Sequence, residues 1–324
     1  MDSLGAEGPN WAELRDAQPS FHIAIPSNRV DSDLKPSLPF LSQAQAPLTF
    51  ETTAVNEFGE STRVSIPAER ALTVYVDKRE LLTPMTLGAN PELLVLGFLL
   101  NQRLVESALD VESITVDWDV GAAAVKTRHG IADLEGKTAK RVVTTGCGQG
   151  SMFGDLMANV DQIVLPPAVI TQAQLYAIVN AIRLKESTYK SAGSVHACAL
   201  FQGDALLLFV EDVGRHNAID TIAGWMAVQP VSLDADLASL RPMPTADKVF
   251  YTTGRLTSEM VIKSAQMGVP VVISRSGITQ MGHQVAQALG LCTIGRATNR
   301  HFLCYTGAER LKLSPELAGP RLRT

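Results

Sequence analysis

Apolar positions recur with two different periods along this chain. From about residue 61, short runs that are rich in β-branched residues predict strands at 63–66, 72–76, 113–118 and 123–128. Between them, Asn90 and Pro91 precede a run of leucines, and a proline in the first turn after a polar cap is typical of a helix start. These elements predict a small β-rich unit with one buried helix.

A second pattern begins at Thr171, which can cap a helix whose apolar face carries Leu175, Ile178 and Val179. Apolar strands then alternate with helical stretches: strands 195–200, 205–210, 248–252, 269–274 and 292–295, and helices 218–227, 258–267 and 279–289. Alternation of this kind is typical of an α/β fold. We therefore expect a largely parallel sheet with helices on both faces.

Three parts follow from these patterns. Residues 1–48 carry six prolines and no sustained period, which predicts an irregular or disordered extension. Residues 49–150 form the N-terminal β-rich domain, which ends in a glycine-rich loop. Residues 151–324 form the C-terminal α/β domain, which we expect to bind the ligand.

Composition narrows the function classes. A formal charge of −5 gives no electrostatic basis for nucleic acid or an anionic membrane. The longest apolar run, 93–100, is far shorter than the roughly 20 residues that span a bilayer, and no basic segment precedes an apolar core at the N-terminus. We expect a cytoplasmic protein. Its four cysteines lack the spacing of a disulfide framework or a zinc site, so no metal of its own is expected.

Glycine and arginine lie together after four predicted strands, in the segments 212–217, 253–255, 274–277 and 295–301. Ligands of open α/β sheets bind beyond the carboxyl ends of the strands. In an acidic protein, such a concentration of guanidinium groups and exposed amides predicts a phosphate-bearing ligand. Neither a dinucleotide fingerprint nor a P-loop is present, and the residues around His196 lack the motif of a zinc deaminase.

Cys147 lies between Gly146 and Gly148 in a polar loop. Glycine neighbours allow the backbone to expose and move a thiol, whereas Cys198, Cys292 and Cys304 have apolar neighbours typical of buried cysteines. Cys147 is therefore the candidate nucleophile. A thiolate of this kind can take a sulfur atom from a donor and hand it on.

At these residues the sequence resembles the FdhD family of formate dehydrogenase accessory sulfurtransferases. The resemblance extends from about Val64 to Leu311 and rests on the following segments: 91–100 (PELLVLGFLL), 145–148 (TGCG), 195–197 (VHA), 211–218 (EDVGRHNA), 254–260 and 305–306.

The resemblance implies a cytidine-deaminase-like α/β/α C-terminal domain without its zinc site, and a homodimer. It implies a sulfurtransferase that carries sulfur as a persulfide on Cys147. The sulfur comes from a cysteine desulfurase and goes to Mo-bis(molybdopterin guanine dinucleotide), the cofactor of the formate dehydrogenase catalytic subunit. The expected cofactor-binding residues, which would hold its phosphates or guanine, are Arg296, Ala297, Thr298, Asn299, Arg300, His301, Arg215, His216, Gly254 and Arg255.

One position departs from the family pattern. Many members have a second cysteine in a CGxC loop, but this chain has Gly150 there. A two-thiol relay is excluded, so Cys147 acts alone. Two alternatives stay open: a non-catalytic chaperone that binds and delivers the molybdenum cofactor, and a nucleotide-binding protein unrelated to molybdenum. For His216, a structural role at the start of the following helix is the alternative to a role with phosphate.

Overall fold

The computed structural model describes residues 37–139, 141–144, 150–153, 162–185, 187–229 and 243–318, all within one compact unit, Pro36–Thr324. The strands are β1 (Phe40–Leu41), β2 (Thr49–Val55), β3 (Ser61–Pro67), β4 (Arg70–Ala71), β5 (Thr73–Val76), β6 (Arg79–Leu82), β7 (Met85–Thr86), β8 (Val111–Asp117), β9 (Ala122–Thr127), β10 (Arg141–Thr144), β11 (Gly150–Phe153), β12 (Ile170–Thr171), β13 (His196–Gln202), β14 (Ala205–Asp212), β15 (Lys248–Thr252), β16 (Val271–Ser274), β17 (Cys292–Thr298), β18 (His301–Thr306) and β19 (Leu311–Lys312). The helices are α1 (Pro91–Asn101), α2 (Leu134–Ala139), α3 (Gln172–Leu184), α4 (Thr188–Ala192), α5 (Arg215–Ala227), α6 (Ser258–Gln266) and α7 (Gln280–Ala288).

The N-terminal part is built on a five-stranded sheet with the order β1-β8-β9-β5-β6. Alternate residues of β5, Val74 and Val76, point into a core that the predicted helix α1 completes with Val95, Leu96 and Leu99. The strands and the helix predicted for this region are therefore confirmed. Alternation in the strands and an apolar surface on the helix produce one shared core.

Residues 37–48, which the composition placed in the irregular extension, pack against this sheet. Phe40 and Leu41 pair in parallel with Ser113 and Ile114 of β8. The buried carboxylate of Glu92 accepts hydrogen bonds from the Ser42 hydroxyl at 2.5 Å and from the Ala44 amide at 2.7 Å. The extension thus contributes backbone pairing that a proline-rich composition does not reveal.

The C-terminal part is built on a six-stranded sheet with the order β14-β13-β15-β16-β17-β18. Only the pairings β15–β16 and β16–β17 are parallel, so the expectation of a largely parallel sheet was wrong. The connections after Gln202 and Thr298 are two residues long, and a link this short can join only antiparallel strands. The sheet is mixed, within an α/β architecture.

Helices cover both faces of the six-stranded sheet, as predicted. Cys198 and Leu200 of β13 face α5, α6 and α7 in one apolar cluster, whereas Ala199 and Phe201 face α3 in another. Successive residues of this one strand therefore point to opposite faces of the sheet and contribute to two different cores. No helix within the described ranges is long and apolar enough to cross a membrane.

Two glycines allow α1 and α5 to cross at backbone distance. A Cβ added at Gly97 would lie 1.7 Å from the Asp220 carbonyl oxygen, and one at Gly224 would lie 2.0 Å from the Leu93 carbonyl oxygen. No side chain fits in this crossing. The two glycines therefore allow the helix of the five-stranded sheet to pack directly on α5 of the six-stranded sheet.

Candidate functional site

The topology brings the four glycine and arginine segments to one edge of the six-stranded sheet. Strands β14 and β15 are both antiparallel to β13, and β15, β16 and β17 are parallel to one another. All four therefore point the same way, and the segments that follow them share one edge. We call this the basic edge, and it consists of residues 212–217, 253–257, 274–279 and 295–301 together with His196.

Three helices begin at the basic edge. The helices α5, α6 and α7 follow β14, β15 and β16 and start at Arg215, Ser258 and Gln280. The first turn of a helix presents unpaired N–H groups and the positive end of the helix dipole. The edge therefore attracts anions through its helix ends as well as through its guanidinium groups.

Arg215 and Gly254 occupy one compact position at this edge. Arg215 is buried, and a Cβ added at Gly254 would lie 2.6 Å from the Arg215 Cδ atom. The Gly254 amide donates to the Thr252 hydroxyl at 3.1 Å, and its carbonyl accepts from the Ser274 hydroxyl at 2.7 Å. Only glycine lets the arginine stem lie across the loop. The neighbouring Arg255 is exposed.

His196 is a member of the basic edge that the sequence analysis did not select. It begins β13, which runs opposite to its neighbours, so its first residue lies where they end, opposite Asp212. Burial lowers the pKa of this half-exposed imidazole, and the charges of Arg215 and Arg255 lower the pKa further. A neutral imidazole that feels the charges of two arginines can accept or donate a hydrogen bond. The antiparallel direction of β13 was the missing signal.

The segment Arg296–His301 forms the tip of the β17–β18 hairpin. Arg296 and Asn299 adopt left-handed backbone angles, with φ of 51° and 52°, and the Arg296 amide donates to the Ser276 carbonyl at 2.7 Å. The tip is therefore tied to the loop after β16. The exposed side chains here are Arg296, Thr298, Asn299, Arg300 and His301, whereas the Ala297 side chain is buried in the sheet core.

His216 lies in the first turn of α5 but points into the protein. Its Nε2 atom is 3.2 Å from the Glu259 carboxylate, and both side chains are buried. Burial lowers the pKa of His216 to about 3, with further lowering from Lys263 and Arg215 and opposition from Glu259. The structure thus directs this imidazole to a carboxylate on α6 and away from the exposed arginines.

Asp212 holds the start of α5 in place. Its carboxylate accepts from the Thr86 hydroxyl at 2.5 Å, the Gly214 amide at 3.1 Å and the Asn217 side chain at 2.8 Å. Burial raises the pKa of Asp212, and these hydrogen bonds oppose that rise. Because Thr86 belongs to β7, the same carboxylate attaches the basic edge to the N-terminal part.

Cys147 lies in the segment 145–149, outside the described residues. The strands that flank this segment, β10 and β11, pair antiparallel, with Thr144 opposite Gly150. The other three thiols are in the described part of the chain. Cys198 is fully buried below Arg215, its thiol donates to the Thr252 hydroxyl at 3.4 Å, and burial raises its pKa to about 12.

Cys292 and Cys304 are neighbours on β17 and β18. A hydrogen bond with Cys304 and burial raise the pKa of Cys292, and the same hydrogen bond lowers the pKa of Cys304. Cys198 and Cys292 therefore remain protonated at neutral pH. Neither offers a thiolate for group transfer.

The fold and the basic edge define an α/β protein with arginines gathered beyond the strands of a mixed sheet. A model of the FdhD/NarQ family matches residues 67–312, which is most of the chain. The protein therefore belongs to the FdhD/NarQ family, as its resemblance predicted.

Individual relatives cover most of the chain as well. The sulfur carrier protein FdhD of Bacillus licheniformis is 31% identical over 250 residues, 76% of this chain and 89% of that protein. The sulfur carrier protein FdhD of Bacillus subtilis is 30% identical over 264 residues, 79% of this chain and 94% of that protein. A crystal structure from Desulfotalea psychrophila, of a protein assigned as a formate dehydrogenase accessory protein, matches with a TM-score of 0.62 at 21% identity and covers 82% of this chain and 100% of its own. This last similarity concerns the fold.

Proposed function

We propose that this protein is a sulfurtransferase that serves formate dehydrogenase. It carries sulfur as a persulfide on Cys147, from a cysteine desulfurase to Mo-bis(molybdopterin guanine dinucleotide). The observation that carries the proposal is the basic edge in a member of a family whose relatives are named sulfur carriers. The acceptor is cargo, bound while sulfur is transferred and then released.

The basic edge suits the phosphates and guanines of this acceptor. Arg255, Arg296 and Arg300 are exposed there, and three helices direct their N-terminal amides toward the same place. Diphosphates accept charge-assisted hydrogen bonds from guanidinium groups, often two at a time. In the proposal, Thr298, Asn299 and His301 supply hydrogen bonds from the hairpin tip, and Gly254 provides room for Arg215. Ala297 contributes through its backbone, since its side chain is in the core.

Sulfur moves in two displacements at Cys147. In the first, the Cys147 thiolate attacks the terminal sulfur of the desulfurase persulfide, and the desulfurase cysteine leaves as a thiolate. In the second, the new S–S bond breaks, Cys147 leaves as a thiolate and the terminal sulfur passes to the metal. The metal supplies the two electrons that convert this sulfur into a sulfido ligand. Because Gly150 occupies the position of a second cysteine, a single thiol performs both steps.

Mass spectrometry tests the first step. The protein is incubated with a cysteine desulfurase and cysteine, digested without reductant, and searched for added sulfur on each cysteine peptide. We expect one added sulfur on Cys147 and none on Cys198, which serves as an internal control because its thiol is buried. The proposal fails if wild-type protein gains no sulfur, or if a Cys147→Ala variant gains as much.

Guanosine diphosphate tests the cofactor site separately. Calorimetry should show that Arg255→Ala weakens its binding by about tenfold or more, which corresponds to the loss of one charge-assisted hydrogen bond of roughly 1.5–3 kcal/mol. Arg79→Ala is the matched control, because Arg79 is an exposed arginine on the five-stranded sheet, where it forms an ion pair with Glu135 of α2. Equal affinity of the wild-type protein and Arg255→Ala would contradict the assignment of this arginine.

A second candidate, a non-catalytic chaperone for the molybdenum cofactor, is favoured by Gly150. With glycine in place of a second loop cysteine, sulfur cannot pass between two thiols of the loop, whereas the basic edge that would bind the cofactor is unaffected. Complementation separates the candidates in a strain that lacks its own accessory protein. Under the sulfurtransferase proposal, Cys147→Ser fails to restore formate dehydrogenase activity while wild-type protein succeeds. Full restoration by Cys147→Ser supports the chaperone.

A further inference from the structure

A cavity of about 320 Å³ lies at the opposite end of α5 and α6 from the basic edge, and we call it the far cavity. Residues from the last turns of α1, α5 and α6 line it. The helix α5 begins at the basic edge, and its 13 residues rise by about 1.5 Å each, so its two ends are roughly 20 Å apart. The far cavity is therefore separate from the basic edge, and its occupancy does not depend on sulfur transfer.

The far cavity has the size of a site for a small organic molecule. A water molecule takes about 30 Å³ of liquid, so the cavity has room for roughly ten non-hydrogen atoms. Its walls are mostly apolar and include the side chains of Met226, Met243 and Met267. Thioether sulfurs are polarizable and make favourable contacts with the edges of aromatic rings. An apolar cavity with these walls suits a molecule that carries an aromatic ring.

The helix ends around the far cavity favour a positive charge. The C-terminal end of a helix carries the negative end of its dipole, and basic side chains near that end interact favourably with it. The last turns of α1 and α5 contain no basic residue. Lys263 in the last turn of α6 belongs to a buried ion cluster, and Arg103, which follows α1, does not line the cavity. The negative ends of these helices are therefore left for a ligand to compensate.

The polar side chains of the far cavity offer hydrogen-bond acceptors. The described residues that line it include no lysine, arginine or histidine, and Glu106 adds an exposed acidic side chain. The Asn101 nitrogen donates to Asp220 at 2.7 Å, which leaves the Asn101 oxygen to accept from a ligand. The Gln266 amide is buried, and neither its oxygen nor its nitrogen has a hydrogen-bond partner within the described ranges. A buried polar group without a partner is costly, so a ligand that bonds to this amide removes a penalty.

We propose that the far cavity binds a small aromatic amine in its ammonium form. The aromatic ring lies among the three methionine side chains, and the ammonium lies at the helix ends. There, Glu106, Asn101 and Gln266 accept hydrogen bonds from its N–H groups. A carboxylate on the same ring would meet an acidic side chain and the negative ends of three helices, so an anion is excluded.

Methionine-methyl NMR on the full chain tests the proposal, with 2-phenylethylamine as the probe. We expect the signals of Met226, Met243 and Met267 to shift saturably. Met85 and Met260 lie outside the cavity, so their signals should stay unchanged. 2-Phenylethanol has the same ring without the charge and should bind about tenfold more weakly, and phenylacetate should produce no saturable shift. The absence of a saturable shift with the amine, or equal affinity for the alcohol, would overturn the proposal.

Removal of one charge tests the position of the ammonium. Glu106→Gln keeps the size of an exposed side chain and should weaken binding of 2-phenylethylamine by about threefold or more, without a change for 2-phenylethanol. Glu80→Gln is the matched control, because Glu80 is an exposed carboxylate on β6 that does not line the cavity. Equal effects of the two variants on amine binding would contradict the proposal.

The Gln266 amide gives a second, independent readout. Gln266→Met removes the amide and keeps a side chain of similar length, so the variant should unfold at a temperature no lower than the wild-type protein. Its affinity for 2-phenylethylamine should nevertheless fall by about tenfold, because a hydrogen bond to a charged group is lost. Unchanged affinity in a folded Gln266→Met variant would show that the amide does not contact the ligand, and the proposal would fail.

Discussion

A buried ion cluster between α1, α5 and α6 offers a quantitative test of the fold. The Lys263 ammonium is 2.8 Å from the Asp220 carboxylate and 3.2 Å from that of Glu259, and all three side chains are buried. The Asn101 side chain donates to Asp220 at 2.7 Å. Burial by itself lowers the pKa of Lys263, but the two carboxylates outweigh it and raise that pKa above its usual value.

Replacing Lys263 by methionine keeps the volume and removes the cation. Removing one partner of a buried ion pair costs about 3–5 kcal/mol. Asp220 sets an independent upper limit on this cost, because the variant can fold with the Asp220 carboxyl protonated. The ordinary pKa of this carboxyl is 3.8, and burial raises it. At pH 7, that protonation costs about 4 kcal/mol. We therefore expect the free energy of unfolding to fall by about 4 kcal/mol.

The dependence on pH separates this effect from a packing defect. A carboxyl that is protonated in the folded variant but ionised in the unfolded chain adds stability as the pH falls toward 3.8. The penalty of Lys263→Met should therefore shrink by about 1.4 kcal/mol for each pH unit between pH 7 and pH 5. Urea denaturation at both values measures it.

Two further variants serve as a test of the mechanism and as a control. Asp220→Asn in the Lys263→Met background should recover part of the loss, because the amide oxygen still accepts from Asn101. Lys126→Met, which breaks an exposed pair with Glu112, should change stability by less than about 1 kcal/mol. A loss below about 1 kcal/mol in Lys263→Met, or a penalty independent of pH, would refute the assignment of charge to this cluster.

Three other predictions concern the fold. Gly97→Ala should destabilise the protein by about 3 kcal/mol or more, since its Cβ would lie 1.7 Å from the Asp220 carbonyl oxygen, whereas Gly277→Ala, with open space around it, should have no effect in the same denaturation assay. Because the pKa of His216 is lowered to about 3, this histidine contributes to stability above about pH 6.5, and the contribution is lost as the pH falls. Between pH 7 and pH 5, the free energy of unfolding of the wild-type protein should fall by about 2 kcal/mol more than that of His216→Gln. An equal fall in the two proteins would contradict a buried neutral imidazole. Thr171→Ala removes the cap of α3 and should lower the unfolding free energy by about 1 kcal/mol. An unchanged unfolding free energy would mean that water satisfies the Gln174 amide as well as the threonine hydroxyl does.

Local patterns predicted the secondary structure well where periodicity and caps agreed. The strand predicted at 248–252 has the observed bounds of β15, and the predicted cap Thr171 forms a capping box with Gln174. Gly268 and Gly290, which follow predicted helices, adopt left-handed angles with φ of 72° and 62°. These features depend on residues that are neighbours in the sequence, so the sequence alone is sufficient to predict them.

Features that depend on distant residues were missed or misjudged. Strand β18 was not predicted, because the arginine segment before it was interpreted as a loop and its pairing with β17 is visible only in the sheet. The direction of β13, and with it the position of His196, follows from tertiary pairing. The interaction of Lys263 with Asp220 joins residues that are 43 positions apart, and no local pattern reports it.

The basic edge lies between these two cases. Glycine and arginine after successive strands predicted that four segments would meet, and the common direction of β14, β15, β16 and β17 brings them together. The sequence did not indicate which side chains turn inward. His216 and Ala297 do so because α5 packs on α6 and because strand positions alternate between the faces of the sheet.

Transfer of labelled sulfur tests the central claim most directly. The protein is loaded from sulfur-labelled cysteine by a cysteine desulfurase, separated from the desulfurase, and mixed with formate dehydrogenase that lacks its sulfido ligand. We predict that label leaves Cys147, appears in the enzyme and restores formate oxidation in proportion. Restoration of the same activity by unloaded protein or by Cys147→Ser would contradict the account.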